Sequence, residues 1–141
     1  MKYQAKVVDL GELAELMAAK REQGCTTALD HGCFDILQLG NVHYLAQAEL
    51  LCSSLAVTAT PDHFARKSPH RPVFTSDQRM EVLAALSMVD TVALNHWATA
   101  KQTLLFLTSN IYVKGRNTMV PVQTRQQPYP RESLRVLALE G

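Results

Sequence analysis

Charge of one sign and long hydrophobic runs are both scarce in this chain. Its 141 residues include 14 Lys and Arg against 13 Asp and Glu, which gives a net charge of +1. A balance this even predicts no broad basic surface, and therefore no nucleic-acid partner. No apolar run approaches the roughly 20 residues that a membrane-spanning helix needs, so no membrane partner is expected either.

Cysteine is also scarce, with only Cys25, Cys33 and Cys52. An odd, sparse set argues against a disulfide framework and favours a reducing compartment. No two of these cysteines have the CxxC spacing typical of zinc sites, so no metal bound by the protein alone is predicted. The first residues carry acids and a helical period instead of a secretory signal. These features predict a cytoplasmic protein.

What is present is typical of a folded domain, with 47% hydrophobic and 19% charged residues. Apolar spacing predicts helices at 10–22, 40–52, 76–88 and 96–108, the first with Leu10, Leu13, Leu16 and Met17 on one face. Short β-rich runs predict strands at 25–32, 54–60, 90–94, 110–115 and 134–141. This alternation is typical of an α/β, Rossmann-like fold. We expect a parallel sheet of about five strands with helices on both faces.

Three polar segments follow predicted strands: "DHGCFD" at 30–35, "TPDHFARK" at 60–67 and "KGRN" at 114–117. Parallel α/β sheets bind ligands beyond the carboxyl ends of their strands. The segment "LDHGCFDILQLGNVHYL" at 29–45 reads as a strand, a glycine turn and a helix, which is a common setting for a phosphate. The residues alone therefore predict an α/β domain with a phosphate site at this edge.

The same residues resemble a known family. "GCFDILQLGNVHYL" is similar to the GxFDxxHxGHxxxL signature of the cytidylyltransferase-like nucleotidyltransferases, which include the adenylyltransferase domain that makes ADP-heptose. "RPVFTSDQRMEVLAALSMVDTVAL" and "IYVKGRN" resemble, in the same order, the family's later helix, strand and VKGxD segment. The resemblance covers most of the chain and implies one nucleotidyltransferase-like domain over 1–141.

The resemblance also implies an activity. Family members transfer a nucleotidyl group from ATP or CTP to a phosphorylated sugar or polyol and release pyrophosphate, with Mg²⁺ bridging phosphates. ATP is the favoured nucleotide here, and a homodimer is expected because relatives commonly form one. Carried over by position, Gln38, Asn41 and Lys67 would act on the reacting phosphates. The predicted nucleotide-binding residues are Gly32, Cys33, Phe34, Asp35, Gly40, Arg79, Lys114, Gly115, Arg116 and Asn117.

The chain departs from the family pattern at three places. Gln38 and Asn41 replace both motif histidines, so amide donors stand where a positive charge is possible in relatives. Asn117 stands where the family often has aspartate, which leaves the base preference open. After the last predicted strand the family continues into a Ser/Thr turn and a helix, whereas this sequence ends at Gly141. The alternative function is therefore a pseudoenzyme that binds a nucleotide or a sugar phosphate and acts through a partner.

Several of these residues also have purely structural explanations. Gly32 fits a plain tight turn, and Cys33 fits a small apolar filler. Asp35 could orient the turn or cap the following helix, and Asn41 could start that helix as its N-cap. Arg79 could form a surface ion pair with Asp77 or Glu81, its neighbours on the predicted helix. The structure can report which of these contacts exist.

Overall fold

The computed structural model describes residues 2–66, 68–115 and the backbone of the strand at 135–139. Helix α1 spans Leu10–Glu22, α2 Leu39–Glu49, α3 Ser76–Ala84 and α4 Ala100–Leu107. The strands are β1 Thr27–Gly32, β2 Ser54–Ala59, β3 Thr91–Leu94, β4 Ile111–Gly115 and β5 Arg135–Leu139. Two short 3-10 helices, Lys2–Lys6 and Asp62–Phe64, were not predicted.

The five strands form one sheet in the order β3-β2-β1-β4-β5, and every pairing is parallel. The predicted α/β fold with a parallel sheet is confirmed. β1 lies in the centre, and the chain reverses its direction of winding between β1 and β4. In such sheets the crevice beyond this reversal is the usual ligand site.

Helices cover both faces of the sheet, as predicted. One core packs α2 and α3 against the sheet through Leu45, Ala48, Leu83 and Ala84. The other packs α1 and α4 against the opposite face through Leu10, Leu13, Leu104 and Leu107. Strand residues from both faces are buried, because a sheet covered on two sides leaves little of its central strands exposed.

Several predicted boundaries and faces were wrong in detail. Leu16 is 41% exposed, so it does not share the buried face of Leu10, Leu13 and Met17. α2 ends at Glu49 rather than at residue 52, and it buries Tyr44, Leu45 and Ala48. The first four strands are also shorter than predicted, and β1 begins at Thr27 rather than at residue 25.

α3 and α4 are, like α2, shorter than predicted, and side chains hold the backbone that flanks them. α3 ends at Ala84, and Nζ of Lys6 donates a 3.0 Å hydrogen bond to the carbonyl of Leu86 just beyond it. α4 begins at Ala100 rather than at residue 96. There the buried amide of Asn95 donates to the carbonyls of Trp97 and Thr99, which holds 96–99 as a loop. Within the described residues, none of the helices combines the length and apolarity needed to cross a membrane.

Candidate active site

The turn after β1 is shaped by Phe34, which has a φ of 51°. Few side chains adopt this left-handed backbone region. Its ring folds back over Gly32, so a Cβ at Gly32 would lie 3.0 Å from the Phe34 ring. Gly32 therefore has a packing role that the sequence did not suggest, in addition to its predicted role near the ligand. The predicted nucleotide contacts of Gly32, Cys33 and Phe34 remain predictions.

Asp35 holds the loop that follows β2. Its Oδ1 accepts hydrogen bonds from the backbone N–H groups of Val73, at 2.7 Å, and Phe74, at 3.2 Å. Its Oδ2 lies 3.0 Å from Nη1 of Arg71. Burial raises the pKa of this carboxyl, but these donors and the Arg71 charge outweigh burial and leave the pKa below its ordinary value. Asp35 therefore orients the turn after β1 and the loop after β2. It does not cap the following helix, because Gln38 occupies that N-cap position.

Arg79 is buried, with 2% of its surface exposed, and it links three segments at this edge. Nη1 donates to the carbonyl of Cys33 at 2.6 Å, and Nε donates to the carbonyl of Phe74 at 3.1 Å. Nη2 lies 2.8 Å from Oδ1 of Asp62. Three of the five N–H donors of the guanidinium therefore bond to other residues of the protein. The predicted phosphate contact of Arg79 would use the two remaining N–H donors.

The first turn of α2 carries the two residues that replace the motif histidines. Gln38 is exposed and occupies the N-cap position. Oδ1 of Asn41, at the third helical position, accepts a 2.9 Å hydrogen bond from the N–H of Gln38. Asn41 is thus part of a capping box and is not the N-cap itself. Gly40 lies between them, where first-turn N–H groups lack intrahelical partners and favour an anion.

The carboxyl end of β4 brings Lys114 and Gly115 to the same edge. The pairing of β4 with β1 ends at Val113, which lies opposite Asp30. Lys114 and Gly115 continue β4 beyond this point and pair with β5. Nζ of Lys114 lies 5.6 Å from the centre of the Tyr112 ring, within cation–π range. The predicted site residues Lys67, Arg116 and Asn117 lie outside the described residues.

Sequence reasoning missed a buried polar pair below this turn. Asp30 on β1 is 2% exposed, and its Oδ2 accepts a 2.8 Å hydrogen bond from the Tyr44 hydroxyl of α2. Burial raises the pKa of Asp30 to about 7, although the Tyr44 hydrogen bond acts in the opposite direction. Burial also raises the pKa of Tyr44, and the charge of Asp30 raises it further.

The neighbouring His31 is also partly buried. Its Nδ1 lies 2.9 Å from Oγ1 of Thr58 on β2. Burial lowers the pKa of His31 to about 4, with the Thr58 contact acting in the opposite direction, so the ring is neutral at pH 7. A neutral imidazole here cannot replace the charge of the missing motif histidines.

The ion pair of Arg79 was assigned to the wrong partners. Asp62 pairs with Arg79, rather than Asp77 or Glu81 on the same helix. Burial raises the pKa of Asp62, but the hydrogen bonds from Arg79 and Ser76 and the Arg79 charge leave it below its ordinary value. The sequence offered one indication of this pair, because Asp62 lies in the polar segment directly after β2.

Comparison with known proteins identifies the family. Residues 30–136 match the model of the family described as cytidylyltransferase-like. The chain belongs to the cytidylyltransferase-like family. The resemblance seen in the motifs is thereby confirmed, and it spans the strands and loops that form the site.

Relatives and a solved structure agree with this assignment. The chain is 38% identical over 106 residues to the bifunctional protein HldE of Photobacterium profundum, covering 74% of this chain and 22% of that protein. It is 32% identical over 117 residues to HldE of Syntrophotalea carbinolica, covering 82% and 24%. The lipopolysaccharide core biosynthesis protein of Thermoplasma volcanium has a similar structure, with a TM-score of 0.69 and 26% identity. That match covers 83% of this chain and 96% of that chain. The chain spans about a quarter of the length of the curated relatives it matches.

Proposed function

We propose that this chain transfers a nucleotidyl group from a nucleoside triphosphate to a phosphorylated sugar or polyol and releases pyrophosphate. ATP is the favoured donor, and CTP is the alternative. Membership of the cytidylyltransferase-like family carries this proposal. The similarity to HldE proteins and to a lipopolysaccharide core biosynthesis protein supports a sugar phosphate as the acceptor.

The reaction requires little chemistry from the protein. A phosphate oxygen of the acceptor attacks the α-phosphorus, a new P–O bond forms, and the bond to the β-phosphate oxygen breaks to release pyrophosphate. The protein mainly positions the two anions and stabilises the charge that develops on the α-phosphate oxygens. In this proposal the first-turn N–H groups of α2 and the amides of Gln38 and Asn41 provide that stabilisation, and Lys114 lies at the adjacent strand end.

Magnesium is proposed to enter with the nucleotide. Among the residues that the structure describes, no group of three or more His, Cys, Asp or Glu side chains lies together as a metal site. Mg²⁺ commonly keeps several waters and binds through substrate phosphates with one or two carboxylates. A magnesium–nucleotide complex would thus need few ligands from this chain.

The second candidate is binding without turnover. The observation that favours it is Asn41, whose side-chain oxygen caps α2 and whose amide carries no charge. Hydrogen bonds from charged donors are roughly twice as strong as those from neutral donors, so two amides would stabilise the transition state less than two imidazolium groups. A regulatory or scaffolding protein would retain the nucleotide-binding residues and lose the rate of transfer.

The deciding experiment measures pyrophosphate release with magnesium, ATP or CTP, and a panel of sugar and polyol phosphates. Nucleotide binding is measured by calorimetry in the same samples. Asn41→Ala should abolish most of the acceptor-dependent release, whereas Thr27→Val, at the opposite end of β1, should not change it. Release that depends on an acceptor supports the enzyme. Binding without release across the panel supports the pseudoenzyme, and no binding contradicts both.

A further inference from the structure

The sheet changes from apolar to polar at its carboxyl edge, on the face that α1 and α4 cover. The core on that face takes one residue from each of three neighbouring strands: Leu29, Ala56 and Tyr112. Side chains two positions further along a strand point to the same face. On these strands the residues at that position are polar: His31, Thr58 and Lys114.

Thr58 holds the ring of His31 at this edge. Oγ1 of Thr58 lies 2.9 Å from Nδ1 of His31, its partner in the pairing of β1 with β2, and Thr58 is fully buried. Within the part of the chain that the structure describes, Nε2 of His31 has no hydrogen-bond partner, and it is not an enclosed atom. The protein therefore fixes one ring nitrogen and leaves the other open at the carboxyl edge.

The state of the ring limits the groups that Nε2 can bind. Burial lowers the pKa of His31 to about 4, so the ring is neutral at pH 7 and lacks the charge that would attract a phosphate. A neutral imidazole has one donor and one acceptor nitrogen, and the Thr58 hydroxyl can pair with either. A sugar hydroxyl suits Nε2 in both tautomers, because a hydroxyl both donates and accepts.

Position favours the ribose of the nucleotide over the sugar of the acceptor. In the proposed function the phosphates lie at the first turn of α2, which follows β1, and the nucleoside lies at the end of β4. The pairing of β1 with β4 ends at Asp30 and Val113, so His31 and Lys114 are the next residues on these two strands. A ribose that joins such phosphates to such a base crosses the end of β1, where His31 lies.

We propose that His31 is a specificity-determining residue that hydrogen-bonds a ribose hydroxyl of the bound nucleotide through Nε2, and that Thr58 is its positioning residue. This inference rests on the proposed function, because it supposes that a nucleoside triphosphate is a substrate. It concerns recognition of the sugar and not the transfer step. Loss of this contact should therefore change the preference for ribose and leave the binding of the phosphates unchanged.

The test compares the dissociation constants of magnesium complexes of ATP, 2′-deoxy-ATP and 3′-deoxy-ATP by calorimetry. We expect the wild type to bind ATP about three- to tenfold more tightly than one of the two analogues, which corresponds to one neutral hydrogen bond. His31→Phe keeps a flat ring and removes both nitrogens, so it should bind ATP and that analogue within about twofold of each other. Thr58→Val should lose part of the preference, whereas Thr58→Ser, which keeps the hydroxyl, should retain it.

Magnesium with inorganic triphosphate is the control ligand, because it has the phosphates and lacks the ribose. Its dissociation constant in His31→Phe should stay within about twofold of the wild type, which also shows that the variant is folded. His96→Phe, at an exposed histidine in the loop after β3, should keep the preference for ATP. Equal weakening of triphosphate and ATP in His31→Phe would overturn the proposal.

Three further outcomes separate this contact from the proposed function. A preference for ATP that is absent in the wild type or survives in His31→Phe would overturn the ribose contact, and a raised KM for the sugar or polyol phosphate would then assign the hydroxyl to the acceptor. A preference that His31→Phe removes, without acceptor-dependent release of pyrophosphate, would support the contact and contradict nucleotidyl transfer. If neither ATP nor CTP binds, both proposals fail.

Discussion

The guanidinium of Arg79 and the carboxylate of Asp62 lie 2.8 Å apart, although Arg79 is buried and Asp62 is half-exposed. The same guanidinium donates to the carbonyl of Cys33 in the turn after β1. One side chain on α3 therefore holds together the loops that follow the two neighbouring strands β1 and β2.

Replacing Arg79 tests this arrangement. Arg79→Lys keeps the charge but loses the planar fork that reaches three acceptors, and we expect it to lower the free energy of unfolding by about 2–4 kcal/mol. Urea denaturation measures the change. Arg66→Lys, at an exposed position, is the matched control and should stay within about 0.5 kcal/mol of the wild type. If Arg79→Lys also stayed within about 0.5 kcal/mol of the wild type, the proposed role of the buried arginine would be contradicted.

Asp35 should be necessary for the shape of the loop at 71–74. Asp35→Ala removes the acceptor for the N–H groups of Val73 and Phe74 and the partner of Arg71, and it should cost about 1–3 kcal/mol. Faster hydrogen exchange at those two amides would locate the effect. Glu15→Gln, an exposed change on α1, should affect neither quantity. Slow exchange at both amides in Asp35→Ala would show that another group holds the loop.

Gly32 should tolerate a side chain poorly while Phe34 is present. Gly32→Ala places a Cβ 3.0 Å from the Phe34 ring, and we expect a loss of about 1–3 kcal/mol in unfolding free energy. In a Phe34→Ala background the same substitution should cost much less, because the ring that it would meet is gone. Thermal denaturation of the four proteins measures this coupling. Additive losses would mean that Gly32 is required for another reason.

Asp30 and His31 should give opposite dependences of stability on pH. The folded pKa of Asp30, about 7, lies above its ordinary 3.8, so its contribution is fully present below pH 3.8 and is lost as pH rises through 7. The folded pKa of His31, about 4, lies below its ordinary 6.5, so its contribution is present above pH 6.5 and is lost as pH falls through 4. Between these limits the two trends partly cancel.

Single variants should reveal the two trends. Asp30→Asn retains an acceptor for Tyr44, and between pH 6.5 and 4.5 it should lose about 1–3 kcal/mol more stability than the wild type. His31→Gln should lose stability as the pH rises over the same range. Urea denaturation at half-unit steps measures both, and comparison with the wild type at each pH removes the contribution of the other carboxylates. Profiles parallel to the wild type would contradict the assigned pKa shifts.

The sequence predicted the parts of the molecule that depend on local pattern. The period of apolar residues located α1 at 10–22. The alternation of strands and helices predicted the parallel sheet whose carboxyl edge carries the proposed site. Family membership followed from an ordered set of motifs rather than from any single one of them.

Contacts between distant residues could not be predicted in this way. Arg79 and Cys33 are 46 positions apart, and no local spacing indicates that one donates to the carbonyl of the other. The loop at 96–99 resembles the start of a helix, but the buried amide of Asn95 captures its carbonyls. The pair of Asp30 and Tyr44 depends on how α2 packs on β1, which periodicity does not specify.

The contacts of Arg79 also determine when the site forms during synthesis. The ribosome releases the chain from its N-terminus, so β1, its turn and the first turn of α2 emerge before α3. Until residue 79 has cleared the exit tunnel, the carbonyl of Cys33 lacks its donor and the two loops are not joined. The nascent chain therefore joins the loops that follow β1 and β2 only after its first two strands and the third helix have left the tunnel.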